Sequence, residues 1–111
     1  MSGTTEYSKI CHISELKEGT GKRFFINETE IAVFKIKERI FAVSNICPHQ
    51  KTASMFEGEV ENGFVICPFH GWKFNLETGN TPSGGNGLKT YDVKIENEFV
   101  FVKVVPAELN W

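Results

Sequence analysis

The chain has 111 residues, enough for one domain with a single core, and 41% hydrophobic against 23% charged residues exclude a disordered chain. A formal net charge of -2 gives no basic footprint for nucleic acid. No stretch approaches the roughly 20 apolar residues that cross a bilayer as a helix, and the polar start from Met1 to Lys9 has no apolar run behind it. A cytoplasmic protein is the expectation. Three cysteines are too few, and odd in number, for a disulfide framework.

In chain order, Glu6 to Ile13 reads as a first strand. Cys11 sits between Ile10 and Ile13 and is read as a small apolar residue of that strand; His12 is read as a surface or satisfied core histidine. Ser14 to Glu18 reads as one helical or irregular turn, stopped by Gly19 and Gly21. Phe24 to Asn27 predicts a short strand and Asn27 to Glu30 a turn. Ile31 to Ile36 and Ile40 to Ser44 predict a hairpin with Lys37-Glu38-Arg39 at its tip.

Asn45 to Thr52 is a loop, and Ala53 to Glu57 is irregular up to Gly58. Asn62-Gly63 is the strongest hairpin signal, joining Glu59–Glu61 to Phe64–Ile66. A second loop runs from Cys67 to Gly71. Trp72 to Asn75 starts another strand, and Leu76-Glu77-Thr78-Gly79 is a turn. Pro82 to Gly87 is a glycine-rich loop, Thr90–Ile95 and Phe99–Val105 form a last hairpin, and Pro106 to Trp111 is a tail. Short strands without a long helix predict an all-β sandwich or barrel, with residues 1–111 as one domain. Phe24, Phe25, Phe34, Phe41, Phe64, Phe99 and Phe101 are assigned to the core, and the glutamates to turns and solvated strand faces.

One phrase is written twice. Ile46-Cys47-Pro48-His49 and Ile66-Cys67-Pro68-Phe69-His70 each place a thiol and an imidazole on a proline-bearing loop, with the seventeen residues Gln50 to Ile66 between the two ligand pairs. A proline disfavours the helical region for the residue before it, so Cys47 and Cys67 belong on extended backbone. Two thiolates and two imidazoles are enough for a closed four-ligand metal site. Three readings are open: buried cysteines with unrelated histidines, structural zinc, and a 2Fe-2S cluster with two cysteines on one iron and two histidines on the other. Zinc modules usually space their ligands as Cys-x-x-Cys with a separate histidine pair, whereas here each loop mixes both types.

The Cys-x-His and Cys-x-x-His pattern resembles the Rieske motif. So do Ile31-Ala32-Val33-Phe34, Phe41-Ala42-Val43-Ser44-Asn45, Cys67-Pro68-Phe69-His70-Gly71-Trp72-Lys73-Phe74, Leu76-Glu77-Thr78-Gly79 and Lys89-Thr90-Tyr91. The resemblance to small Rieske ferredoxins runs from about Tyr7 to Val104. It implies stacked antiparallel sheets with a cluster-binding tip formed by two loops. It also implies one Rieske 2Fe-2S cluster, held through sulfur by Cys47 and Cys67 and through ring nitrogen by His49 and His70.

High-potential Rieske proteins carry an extra cysteine in each loop; the matching positions here are Thr52 and Phe69. They also carry a serine and a tyrosine that hydrogen-bond to cluster sulfur, matched here by Trp72 and Phe74. Fewer such bonds imply a low potential. Lys51 stands where small ferredoxins often have glycine, and the loop over the cluster is glycine-rich here where theirs is commonly proline-rich. A Rieske oxygenase large subunit needs a second iron on a 2-His-1-carboxylate triad, and only His12 remains outside the two loops.

The resemblance therefore implies a one-electron carrier between a flavin- or NAD(P)H-dependent reductase and a terminal oxygenase or other acceptor enzyme, with no catalytic residue of its own. The alternative is the Rieske-like small subunit of an assimilatory NAD(P)H nitrite reductase. Gln50, Lys51, Pro68, Phe69 and Trp72 are expected to cover the cluster or rim its docking face.

Overall fold

A computed structural model describes residues 7–26, 28–46, 53–68, 71–81 and 87–104. The readings made for Glu6, Asn27, the Pro82-to-Asn86 stretch and the tail from Pro106 lie outside these residues. Nine strands are seen: β1 (Ser8–His12), β2 (Gly21–Ile26), β3 (Thr29–Ile36), β4 (Arg39–Ser44), β5 (Glu59–Glu61), β6 (Phe64–Ile66), β7 (Lys73–Asn75), β8 (Thr90–Glu96) and β9 (Phe99–Lys103). They form a six-stranded sheet in the order β1-β9-β8-β4-β3-β2 and a three-stranded sheet β5-β6-β7. Every strand pairing within them is antiparallel. The expected all-β architecture of stacked sheets is present, and among the described residues the only helical elements are two short 3-10 turns, Ile13–Glu15 and Met55–Glu57.

Turn chemistry fixes the hairpins. Asn62 and Gly63 both have positive φ, 53° and 84°, the backbone hand that matches strand twist in a two-residue hairpin. Asn97 and Glu98 join β8 to β9 in the same way, with φ of 52° and 69°.

The unbroken apolar run Ile31-Ala32-Val33-Phe34 is explained by its two buried faces. Successive side chains of a strand point to opposite sides. Ile31 and Val33 join one core with Cys11, Ile40, Ala42, Val100 and Val102. Ala32 and Phe34 join the other with Val43, Met55, Val65, Cys67, Phe74 and Leu76. The β3–β4 hairpin is therefore the wall between the interior of the large sheet and the layer that carries the small sheet.

Three expectations need correction. The strand assigned to Phe24–Asn27 is longer and starts at Gly21, because residues 21 to 26 pair in continuous register with β3. The aromatic core assignment fails at four positions: Phe25 is 66% exposed, since its neighbour Phe24 takes the inward face, and Phe64, Phe99 and Phe101 are half-buried outside both cores, since Val65, Val100 and Val102 take the inward face there. The irregular stretch before Gly58 contains the turn Met55–Glu57, anchored by the fully buried Met55. No helix among the described residues is long and apolar enough to cross a membrane.

Candidate metal centre

Cys67 is the cysteine of the repeated phrase that the structure describes. Val65 and Cys67 are two residues apart, so they share a face as the chain leaves β6, and both enter the core cluster with Met55 and Phe74. Cys67 is 1% exposed. Its N–H donates to the Trp72 carbonyl at 2.8 Å, and its carbonyl accepts from the Gly71 N–H at 2.9 Å. Gly71 takes the left-handed backbone conformation (φ 71°) that closes this tight loop, a conformation costly for residues with a Cβ. The loop thus hangs from two backbone bonds at its base, with Trp72 half-exposed beside it and Pro68 at the surface.

The first loop is tied at its base in the same way. Ile46 and Ala53 form an antiparallel bridge across residues 47–52. The Ile46 N–H donates to Ser44 Oγ at 3.1 Å, and the Met55 N–H donates to the Asn45 carbonyl at 3.1 Å. Beyond Ala53 the chain makes its 3-10 turn and enters β5, where Glu59 pairs with Ile66, the residue before Cys67. Gly58 lies against the Ile66 carbonyl and Val65 Cγ2, leaving no room for a Cβ. The exit of one loop and the start of the other are therefore adjacent in one small sheet. Glu57, Glu59, Ile66, Cys67, Pro68 and Gly71 line an open cleft at this end.

Cys47, His49 and His70 lie outside the described residues, as do Gln50, Lys51, Thr52 and Phe69. Among the described residues no group of three His, Cys, Asp or Glu side chains gathers as a metal site. A donor set of two thiolates and two imidazoles is the one a Rieske cluster takes. The buried Cys67 thiol, on a loop whose base adjoins that of the other phrase, fits such a centre.

The Rieske [2Fe-2S] domain model matches residues 6–106. The chain belongs to the Rieske [2Fe-2S] family. A Rieske domain of this kind carries a 2Fe-2S cluster. The chain is 35% identical to the ferredoxin component of the naphthalene 1,2-dioxygenase/salicylate 5-hydroxylase systems of a Ralstonia species, over 91% of this chain and 98% of that one. It is 33% identical to the ferredoxin component of the alkene monooxygenase system of Xanthobacter autotrophicus, over 91% of this chain and 84% of that one. A solved structure described as an NADH-dependent nitrite reductase small subunit from Mycobacterium tuberculosis superimposes with a TM-score of 0.83. It is 20% identical and covers 90% of this chain and 96% of that one, a likeness that shows the Rieske fold alone.

Sequence reasoning found the repeated phrase but passed over Asn45, which is fully buried at the foot of the first loop. Its one sequence signal is position: a polar amide two residues before a candidate ligand. The sequence places Thr29 and Glu30 in a turn, but both lie in β3, paired with Ile26 and Phe25. Glu30 receives both Arg23 and the Asn45 amide, and the Arg23 guanidinium, opposed by partial burial, holds its carboxyl below the ordinary value.

Proposed function

We propose that this Rieske protein is the ferredoxin of an oxygenase system, taking one electron from a flavin- or NAD(P)H-dependent reductase and passing it to a terminal oxygenase. Cys47 and Cys67 hold one iron through sulfur, and His49 and His70 hold the other through ring nitrogen. The bound cluster supplies reversible one-electron chemistry, and neutral imidazoles in place of two thiolates make it easier to reduce than a four-cysteine centre. The chain's own residues hold the loops: the Cys67–Trp72 and Cys67–Gly71 backbone bonds fix the second, and the Ile46–Ala53 bridge closes the first. Trp72, 44% exposed, and Pro68 form part of the rim a partner would touch. The same reading takes residues 1–111 as one Rieske domain working in the cytoplasm.

The observation that carries this reading is the end-to-end alignment with the Ralstonia ferredoxin component. The nitrite reductase small-subunit alternative fits less well: two solved structures of that description are 20% and 25% identical to this chain, against 33% and 35% for the two ferredoxin components. The test is to purify the protein without added metal and measure iron, acid-labile sulfide and the reduced EPR spectrum, then follow electron delivery from a reductase to an oxygenase. A coloured protein with two irons and two sulfides per chain, and a Rieske EPR signal, is expected. A colourless zinc protein would end the reading, and a stable complex with a sirohaem-bearing large subunit would transfer it to the alternative.

A further inference from the structure

Asn45 is fully buried, and all four of its hydrogen-bonding groups are engaged. Its N–H donates to the Glu30 carbonyl at 3.1 Å, and its own carbonyl accepts from the Met55 N–H at 3.1 Å. Its side-chain Oδ1 accepts from the Phe56 N–H at 2.8 Å, and Nδ2 donates to Glu30 Oε1 at 3.1 Å. One residue thus ties the start of the first loop to its end. The side-chain amide has only one workable orientation. The Phe56 N–H can only donate and an ionised Glu30 can only accept, so a flipped amide would face a donor with its NH2 and an acceptor with its oxygen.

Glu30 is itself held. Arg23 Nε donates to Oε1 at 2.8 Å and Nη2 to Oε2 at 2.7 Å, a two-bond fork of the strong, geometrically specific kind. Arg23 and Glu30 lie diagonally across the β2–β3 pair, where Arg23 faces Ala32 and Phe25 faces Glu30. The chain of bonds starts on an outer strand and ends on both flanks of residues 47–52.

We propose that Arg23, Glu30 and Asn45 act in series as the positioning device of the cluster: Asn45 sets the loop carrying Cys47 and His49, Glu30 fixes the Asn45 amide, and Arg23 fixes Glu30. The proposal rests on the reading of Cys47 and His49 as cluster ligands. None of the three residues touches the reacting atoms; they act by orienting the ligands, as groups behind a metal's own ligands commonly do. Removing Asn45 would leave the part-buried Phe56 N–H without this acceptor and the loop's flanks without their side-chain clasp.

The test uses the holoprotein and follows three quantities: the rate of cluster loss to a chelator, the reduced EPR g-values, and far-UV circular dichroism. Asn45→Ala is expected to lose its cluster about 10-fold faster, the lower end of the range for such supporting groups. Glu30→Ala and Arg23→Ala should move the rate and the g-values in the same direction by less, with unchanged circular dichroism. Glu30→Gln keeps an acceptor for Asn45 and should restore most of the lost retention. A serial device requires non-additivity: Glu30→Ala combined with Asn45→Ala should be no worse than Asn45→Ala alone. If Asn45→Ala does not fold, the Glu30 pair and Arg23→Ala decide, because these side chains are more exposed.

Unchanged cluster loss and g-values in these variants would overturn the inference, and so would purely additive effects. So would an equal acceleration in Lys94→Ala, which breaks the ion pair to Glu96 and the contacts over the Tyr7 and Phe101 rings but leaves Arg23, Glu30 and Asn45 in place. A wild-type protein that purifies without iron and sulfide would instead remove the ligand reading, and this inference with it. Wild type with a full cluster and insensitive variants removes this inference only.

Discussion

Cys11 shows how environment separates one thiol from the two in the repeated phrase. It lies on β1, 6% exposed, among Val100, Val102 and Leu16. Burial pushes its thiol above the ordinary value of 9.0, nearby Glu15 pushes the same way, and Lys22 opposes them. The thiolate is the nucleophile, so a raised value in a closed site means slow alkylation. The sign follows: the folded state keeps the proton that the unfolded chain gives up, so reactivity at neutral pH falls on folding, and folding stability falls as pH rises past 9.0. Iodoacetamide at neutral pH should leave Cys11 unmodified in the native holoprotein, whereas denaturant with a chelator should release all three cysteines for labelling. Peptide mass spectrometry showing rapid native labelling of Cys11 would contradict this. Its neighbour His12 is satisfied at the surface, accepting from the Ser14 N–H at Nδ1 and facing Glu98 through Nε2 at 3.3 Å.

At the scale of elements, the small sheet is the part that joins the two loops, and Gly58 is tightly packed at its entry. A Cβ there would run into the Ile66 carbonyl and meet Val65 Cγ2 at 2.9 Å. The first obstacle is backbone, which cannot swing aside as a side chain can. Gly58→Ala should therefore cost about 2 kcal/mol, a typical overpacking penalty, and lower the apparent Tm by roughly 10 °C. Because Ile66 precedes Cys67, cluster retention should fall with it. Thermal melts and iron content of the purified variant check both, and a variant with wild-type Tm and full iron would show that the β5–β6 contact yields without cost. The elements themselves were legible wherever local chemistry decides them. Asn62-Gly63 announces its hairpin, and the run Ile31–Phe34 announces a strand buried on both faces. Adjacent Phe24 and Phe25 could not both face the core of one strand, so the alternation already carried the correction that the structure makes at Phe25. The turn at Met55 and the clasp at Asn45 were not legible. Both depend on partners brought from distant parts of the chain: Met55 packs with Val65 and Phe74, and Asn45 bonds to Glu30 fifteen residues before it.

For the whole molecule the question is where its potential lies, since that decides which way electrons run between partners. Hydrogen bonds to cluster sulfur stabilise the reduced state and raise the potential. In high-potential Rieske proteins a serine and a tyrosine supply two of them, and here those positions are Trp72 and Phe74. The Phe74 ring is fully buried and belongs to the same core cluster as Cys67, so an apolar ring stands where the high-potential proteins place a phenol. A midpoint near the low end of the Rieske range, roughly -150 mV, is expected. Phe74→Tyr tests the cause directly. It adds one hydroxyl to a ring of the core that also holds Cys67, and a phenol that reaches sulfur should raise the midpoint. Potentiometric titration of wild type and variant, with EPR to confirm an intact cluster, reads the result. A wild-type midpoint well above zero would refute the low-potential assignment. An intact Phe74→Tyr cluster at the wild-type potential would show that the missing phenol is not its cause. With a low potential the protein suits electron delivery driven by a reduced nicotinamide or flavin donor. The first loop's geometry matters to the same value, because Cys47 and His49 would hold the cluster from that loop and the Asn45 bonds tie its two flanks. The clasp at Asn45 and the ring at Phe74 would therefore act on one quantity by different routes, one through ligand placement and the other through the absence of a donor.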